Sequence, residues 1–237
     1  MIITADYHTH TNFSHGKGTP EENVLAAISK GLKRIAISEH APAHLLYGVR
    51  GEKLLRLRRE VDSLARRYAN DIEVLMGLEC NLISDGMCDV PENADLAPFD
   101  VLLLGYHKGV WPKDGAVRGA FFESMHLGHG DPVQVANALL NTAEKYKIHV
   151  LSHPCEYVQA DIPTLAKGAA QLGVLLEINA SHVSMSVPQL KEAAKYGARF
   201  VIGSDAHIPG RVGDFAAAIR AAQEAEVEDL VVNAENK

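Results

Sequence analysis

Two histidines, His8 and His10, carry the first chemical signal in the stretch Ile2-Ile3-Thr4-Ala5-Asp6-Tyr7-His8-Thr9-His10-Thr11. A short β-branched, apolar run leads into them. In extended backbone, positions i and i+2 project to the same side. Both imidazoles therefore aim at one point just beyond a strand end, and convergent imidazoles are the raw material of a divalent-metal site. A pair of ordinary histidines near the terminus is the competing interpretation. Recurrence weighs against it. Ser38-Glu39-His40, Gly77-Leu78-Glu79, Gly105-Tyr106-His107, Ser152-His153-Pro154 and Gly203-Ser204-Asp205-Ala206-His207 each follow an apolar run, and His15 sits in the Gly-containing loop after His10.

The candidate ligands are His8, His10, His15, His40, Glu79, His107, His153, Asp205 and His207. Nine nitrogen and oxygen donors are too many for one tetrahedral zinc and suit a cluster of two or three divalent ions sharing bridging carboxylates. A mixed imidazole and carboxylate set fits Zn, Mn or Fe without choosing between them. Cys80, Cys88 and Cys155 form no CxxC, so reduced thiols packed as small buried side chains are expected.

These residues need elements to position them. Strands are predicted at the first apolar run and near 34–38, 72–78, 101–105, 149–152, 174–178 and 200–203. Helix starts alternate with them. Thr19-Pro20-Glu21-Glu22 and Ser186-Val187-Pro188-Gln189 are capping boxes, and Asp131-Pro132 and Asp161 open two more helices. Glu52 to Tyr68 is a long helix whose arginines, interrupted by Glu60 and Asp62, form a solvated face. Lys108 to Gly130 is Gly-rich and is expected to be a long loop, a candidate lid.

Strands that are continuous apolar runs alternating with helices imply a parallel sheet covered by helices. Pattern alone does not separate an open sheet from a barrel, but the ligand candidates favour the barrel. In an open sheet the strand ends lie along a line, too far apart to share a site, whereas in a barrel they ring one mouth. The 237 residues suffice for one domain spanning 1–237 with a substantial core. A formal net charge of -7 argues against a chain-wide grip on long nucleic acid. Neither a membrane-spanning run nor a signal peptide is visible, so a cytoplasmic location is expected.

Taken together and in order, Asp6-x-His8-x-His10 and the five later motifs resemble those of the PHP (polymerase and histidinol phosphatase) family, most closely its small stand-alone members. The resemblance covers nearly the whole chain. It implies a distorted (β/α)7 TIM-like barrel with a trinuclear metal site at the C-terminal mouth of the strands, and phosphoesterase activity. Carried over, it implies that His8, His10, Glu79 and Asp205 hold one metal, that Glu79 bridges to a second with His107 and His153, and that His15, His40 and His207 hold a third. It places Asp6 and Glu39 behind the ligands, orienting imidazoles, and Glu79, Asp205 and His207 in the catalytic set. Family members often continue with a further helical segment, which this sequence does not show after Lys237.

The expected function is a metal-dependent phosphomonoesterase acting on a small phosphorylated metabolite, histidinol-phosphatase-like, through a hydroxide bridging two metals. Lys17, Arg50, Lys108 and Arg211 lie in loops after ligand-bearing strands and are candidates for gripping phosphate. A nuclease or nucleotide phosphodiesterase is the first alternative, and a non-catalytic metal-binding regulatory protein the second. Aromatics near Trp111 and Phe121 would suit contact with a second copy in a homo-oligomer. His44, His126, His129, His149 and His182 sit on no motif, and Glu177 and Asn179 are assigned supporting or structural roles.

Overall fold

The computed structural model describes residues 1–235 apart from Glu92, Gly109 and Asp114, together with the backbone but not the side chain of Ala116. Asn236 and Lys237, the end of the expected 1–237 span, lie outside the described residues, as do Gly109 and Asp114 of the 108–130 stretch. Strands and helices alternate in the order β1 (Ile2–Ile3), β2 (Ala5–Asp6), α1 (Pro20–Ser29), β3 (Arg34–His40), α2 (Glu52–Arg67), β4 (Glu73–Ser84), β5 (Met87–Cys88), β6 (Val101–Gly105), α3 (Gly115–Ser124), α4 (Pro132–Tyr146), β7 (Val150–Leu151), α5 (Ile162–Leu172), β8 (Leu175–Asn179), α6 (Val187–Lys195), β9 (Phe200–Gly203), α7 (Ala216–Ala225) and β10 (Ala234–Glu235).

Seven strands run in parallel in the order β2-β3-β4-β6-β7-β8-β9, which is chain order, with the short β5 returning antiparallel along the far end of β4. The sheet nearly closes into a barrel. At the mouth a parallel bridge joins Thr9 to Ala206, and the His10 amide donates to the Ala206 carbonyl at 2.8 Å. At the opposite end, the floor, Asn233 stitches the same seam, its Nδ2 donating to the carbonyls of Ala5 and Ile202 at 2.8 Å each. Closure brings the first ligand-bearing segment against the last, which no open sheet would do.

Side-chain alternation along each strand sorts two cores. Ile35, Ile37, Met76, Leu78, Leu102, Leu104, Leu176 and Ile202 face out and pack beneath the helices. Ala36, Val101, Leu103, Val150 and Val201 form a separate cluster filling the lumen. Above that lumen layer come glycines. A Cβ on Gly203 would lie 2.2 Å from Glu177 Oε1, and one on Gly105 would lie 2.5 Å from Ser152 Oγ and 2.9 Å from the His153 ring. The space a side chain would take is given to the polar layer.

The helix starts follow the sequence signals. Thr19 and Glu22 form a reciprocal capping box, as do Ser186 and Gln189, while Asp131 and Asp161 cap α4 and α5. In α2, Leu57, Val61 and Leu64 turn inward and the arginines pair outward, Arg58 with Asp62, Arg59 with Glu52 and Arg67 with Glu21. Two expectations change. The first apolar run is broken at Thr4, so β1 pairs with β10 near the chain's end and only β2 joins the barrel. The 108–130 stretch is not one long loop, because α3 lies within it. Val117, Ala120 and Ser124, at i, i+3 and i+7, are buried on one helix face, a periodicity that the surrounding glycines obscure.

Candidate metal centre

All nine ligand candidates meet at the mouth. Glu79, fully buried within β4 where it pairs with His40 at the end of β3, is the hub. Its Oε1 lies 3.2 Å from His8 Nε2, 3.2 Å from His107 Nε2 and 3.0 Å from His153 Nε2, and its Oε2 lies 3.5 Å from His10 Nε2 and 3.0 Å from His40 Nδ1. Asp205 Oδ1 is a second point of convergence, 3.5 Å from His8 Nε2 and 3.4 Å from His10 Nε2. His15 sits on the outer side, its ring 4.1 Å from His207, 4.9 Å from His40 and 5.4 Å from His10, centroid to centroid. His153 and Asp205 hold positive φ angles of 28° and 51°, a backbone region that costs free energy and collects at functional sites.

Groups behind the ligands orient the imidazoles. His8 Nδ1 donates to Glu177 Oε1 at 2.8 Å, which turns Nε2 toward Glu79 and Asp205. His207 Nδ1 donates to the Asp205 carbonyl at 2.9 Å. Glu177 Oε2 also accepts from the His153 amide at 2.8 Å and from Asn179 Nδ2 at 3.0 Å. Of the supporting and structural roles the sequence leaves open for Glu177, the structure shows the supporting one, behind His8 and the His153 amide. The signal for Glu177 was its position alone, in β8 two residues before the strand's C-terminal end.

The expectation for Asp6 needs correction. Its carboxylate accepts backbone amides, Ser204 at 3.1 Å and Gly213 at 2.9 Å, rather than an imidazole, because it points into the β2–β9 seam. Asp6 positions the Asp205 segment. Glu39 stands behind His10, with Oε2 3.8 Å from Nδ1, and is held by the Thr11 amide at 2.9 Å and by the hydroxyls of Thr11 and Ser14.

Charge divides the cluster. Burial alone would raise the carboxyl of Glu79, but His107 and His8 outweigh it and hold the group well below the usual carboxylate range. Burial likewise opposes ionisation of Asp205, and the charge of His8 and the hydrogen bond from His10 reverse it. His8 is raised despite burial by Glu177, Glu79 and Asp205, and His10 is raised to about 9 against burial by the nearby carboxylates of Asp205, Glu39 and Glu79. His15 goes the other way, to about 2, through burial and then the neighbouring His10, His207 and His40, and burial lowers His40 to about 4.

The donor set fits divalent cations. His40 Nδ1 and Glu79 Oε2, 3.0 Å apart, are buried without the alignment a hydrogen bond needs, and neither has another partner among the described residues. Atoms left so cost about 1–3 kcal/mol each unless something coordinates them. Triads with ligand atoms within 4.8 Å of one another include His8, His10 and Glu79; His8, His153 and Asp205; His40, Glu79 and His107; and His10, His15 and His40.

Of the four proposed phosphate grips, Lys108 is best placed, its Nζ 4.9 Å above the ring of Tyr157, which borders His153. Arg50 Nη2 approaches the His44 carbonyl at 3.5 Å. Lys17 is tied through its amide to the His207 carbonyl at 2.8 Å. Arg211 instead pairs with Asp214 at 2.7 Å, so its charge is already engaged. Two histidines on no motif also come to the mouth. His44 stacks on His40 at 4.7 Å, and His182 bridges Glu156 at 3.1 Å and Asp205 Oδ2 at 3.9 Å.

The family model "PHP domain" matches residues 6–235. A "probable phosphatase" of Aeromonas hydrophila is 30% identical over 231 residues, 91% of this chain and 82% of the relative, and one of Shewanella sediminis is 30% identical over 242 residues, 95% and 87%. The DNA polymerase/3'-5' exonuclease PolX of Bacillus subtilis is 26% identical over 232 residues, which is 93% of this chain but 37% of that protein. Among solved structures, the histidinol phosphate phosphatase of Lactococcus lactis, complexed with zinc, L-histidinol and phosphate, superposes with a TM-score of 0.64 at 17% identity over 97% of this chain and 94% of that one. It shares the fold.

Proposed function

The chain belongs to the PHP domain family, and from that membership and the convergence of imidazoles on Glu79 we propose that it is a metal-dependent phosphomonoesterase acting on a small phosphorylated metabolite. The observation that carries the proposal is the hub itself: one buried carboxylate oxygen within 3.2 Å of His8, His107 and His153. His8, His10, Glu79 and Asp205 would hold one divalent ion, Glu79 with His107 and His153 a second, and His15, His40 and His207 a third. Zn, Mn and Fe suit this set. When bound, such ions lower the pKa of water and neutralise charge developing on phosphoryl oxygens.

The remaining roles belong to the chain. Glu177 keeps His8 Nε2 directed at the centre. Glu79, Asp205 and His207 border the reacting atoms, and Lys108 supplies a cation at the rim for an anionic substrate. Hydrolysis of nucleotide diesters is the second reading, favoured by the similarity to PolX. Against long nucleic acid stand the net charge of -7 and the outward pairing of the α2 arginines.

Elemental analysis of purified protein beside turnover of p-nitrophenyl phosphate and bis(p-nitrophenyl) phosphate tests the proposal. We expect two or three ions per chain and faster hydrolysis of the monoester by at least about tenfold. Preference for the diester would replace the first reading with the second. Bound metal without hydrolysis of either compound would leave a metal-binding regulatory protein.

A further inference from the structure

The segment after β3 is tightly wound. The Val49 amide donates to the His40 carbonyl at 3.0 Å and closes the base of the loop, and the Gly48 amide donates to the His44 carbonyl at 3.0 Å inside it. The Ala41 amide is tied to the Glu79 carbonyl at 2.9 Å and the Ala43 amide to Asp89 Oδ2 at 3.2 Å. At Gly48 a Cβ would lie 2.6 Å from the Pro42 carbonyl oxygen and 2.8 Å from that of His44, so no side chain fits there. This winding fixes one buried ring. His44 stacks on His40 at 4.7 Å and on Tyr47 at 5.0 Å, and meets His107 edge-on at 6.1 Å.

The hydrogen bonding of that ring gives it a definite role. The Tyr47 amide donates to His44 Nδ1 at 3.2 Å. An amide can only donate, so Nδ1 uses its lone pair there and the ring proton resides on Nε2. Nε2–H has no partner among the described residues, and with Nδ1 engaged neither nitrogen is free to ligate. His44 therefore offers a rigid N–H donor beside two ligand candidates, His40 and His107, without being a ligand.

We propose that His44 is a substrate-contacting residue whose Nε2–H donates to a phosphoryl oxygen held on the His40–His107 side of the mouth. The inference rests on the phosphoesterase reading above. A preoriented donor aimed at phosphoryl charge strengthens binding and turnover without affecting metal content.

The test uses the metal-loaded protein and two substitutions. His44→Phe keeps a flat ring against His40 and removes the donor. His44→Gln keeps a donor at similar reach and removes the aromatic stack. Inorganic phosphate binding, read by calorimetry, is expected to weaken about 10- to 100-fold in His44→Phe and to recover most of that in His44→Gln, with equal metal content in all three proteins. The kcat/KM for p-nitrophenyl phosphate should follow the same order. In the unsubstituted protein the His44 Nε2–H resonance should move on titration with phosphate. Wild-type phosphate affinity in His44→Phe, failure of His44→Gln to recover it, or an unmoved Nε2–H signal overturns the assignment. Phosphate binding through His44 with no ester turnover would instead remove the phosphoesterase reading and leave this contact standing.

Discussion

At the floor of the barrel the Asn233 side chain and carbonyl are engaged. Its Nδ2 donates to Ala5 and Ile202, its Oδ1 accepts from the Ile202 amide at 3.0 Å, and its carbonyl accepts from the Thr4 amide at 2.9 Å. The ion pairs at that end, Arg34–Glu73 and Lys33–Glu235, stand in solvent. At the mouth the charges are buried, and Glu79 Oε2 and the Nδ1 atoms of His10, His15, His40 and His107 lack hydrogen-bond partners among the described residues. Between the two ends the lumen is plain apolar packing of Ala36, Val101, Leu103, Val150 and Val201. The contrast locates stability and chemistry at different heights of one barrel. A fully bonded side chain closes the seam below, and lone pairs kept uncommitted above can accept cations.

If this separation is real, substitutions at the two ends should have different signatures. The largest effect is expected from Glu79→Gln, which removes the charge that five imidazoles approach. Turnover should fall on the order of 1,000-fold, with loss of at least one bound ion by elemental analysis. Retention of both would show that the hub is not a ligand. Glu177→Gln comes next. It leaves all nine candidate ligands in place but frees the His8 ring, so metal affinity should drop about 10- to 100-fold in a chelator competition. An unchanged affinity would mean that the Glu177–His8 bond is only packing.

Asn233→Ala is the complementary floor experiment. It leaves the Ile202 amide and the carbonyls of Ala5 and Ile202 without partners, which should cost about 2–3 kcal/mol. Melting should fall by about 4–12 °C, while kcat per folded, metal-loaded molecule stays within about twofold. A kinetic defect of tenfold or more would show that the floor is coupled to the mouth and that the comparison fails.

The mouth was far easier to read from sequence than the floor, for a physical reason. A ligand at a strand end announces itself locally: an apolar run fixes the strand, and His8-Thr9-His10 or Asp205-Ala206-His207 follows at once. Barrel closure was inferable because only a ring of strand ends can bring such residues together. Asn233 carries no comparable mark, since its partners lie 31 and 228 residues away. Glu177 was legible as a supporting or structural residue but its partners were not, and His44 sat on no motif, because each acts through a partner that only the fold supplies. Asp6 is the converse case. Its place beside the HxH motif suggested an imidazole partner, and the seam it faces presents amides instead. The helix α3 was hidden by composition, its buried face carried by Val117, Ala120 and Ser124 among glycines.

The smallest effect is one of pH, because the buried histidine cluster belongs to the mouth. In the metal-free protein burial opposes the charge on His10, but the nearby carboxylates of Asp205, Glu39 and Glu79 outweigh it and push the ring up to about 9 from its ordinary 6.5. A base raised on folding stabilises fully below its unfolded pKa and loses that contribution as pH climbs through the folded value. His8 and His153 are shifted in the same direction. His15 and His40, lowered to about 2 and about 4 with burial as the largest cause, act oppositely: their contribution is present above 6.5 and fades as pH falls. The metal-free protein should therefore melt highest near pH 6.5 and lose a few degrees toward pH 9. Bound cations replace the protons on His8, His10 and His153, so the metal-loaded protein should instead gain stability over that interval and release protons on loading. Melting curves of the two forms from pH 5 to 9 should diverge with rising pH. Parallel curves would mean that cations do not compete with protons for these rings and that the mouth is no more a binding site than the floor.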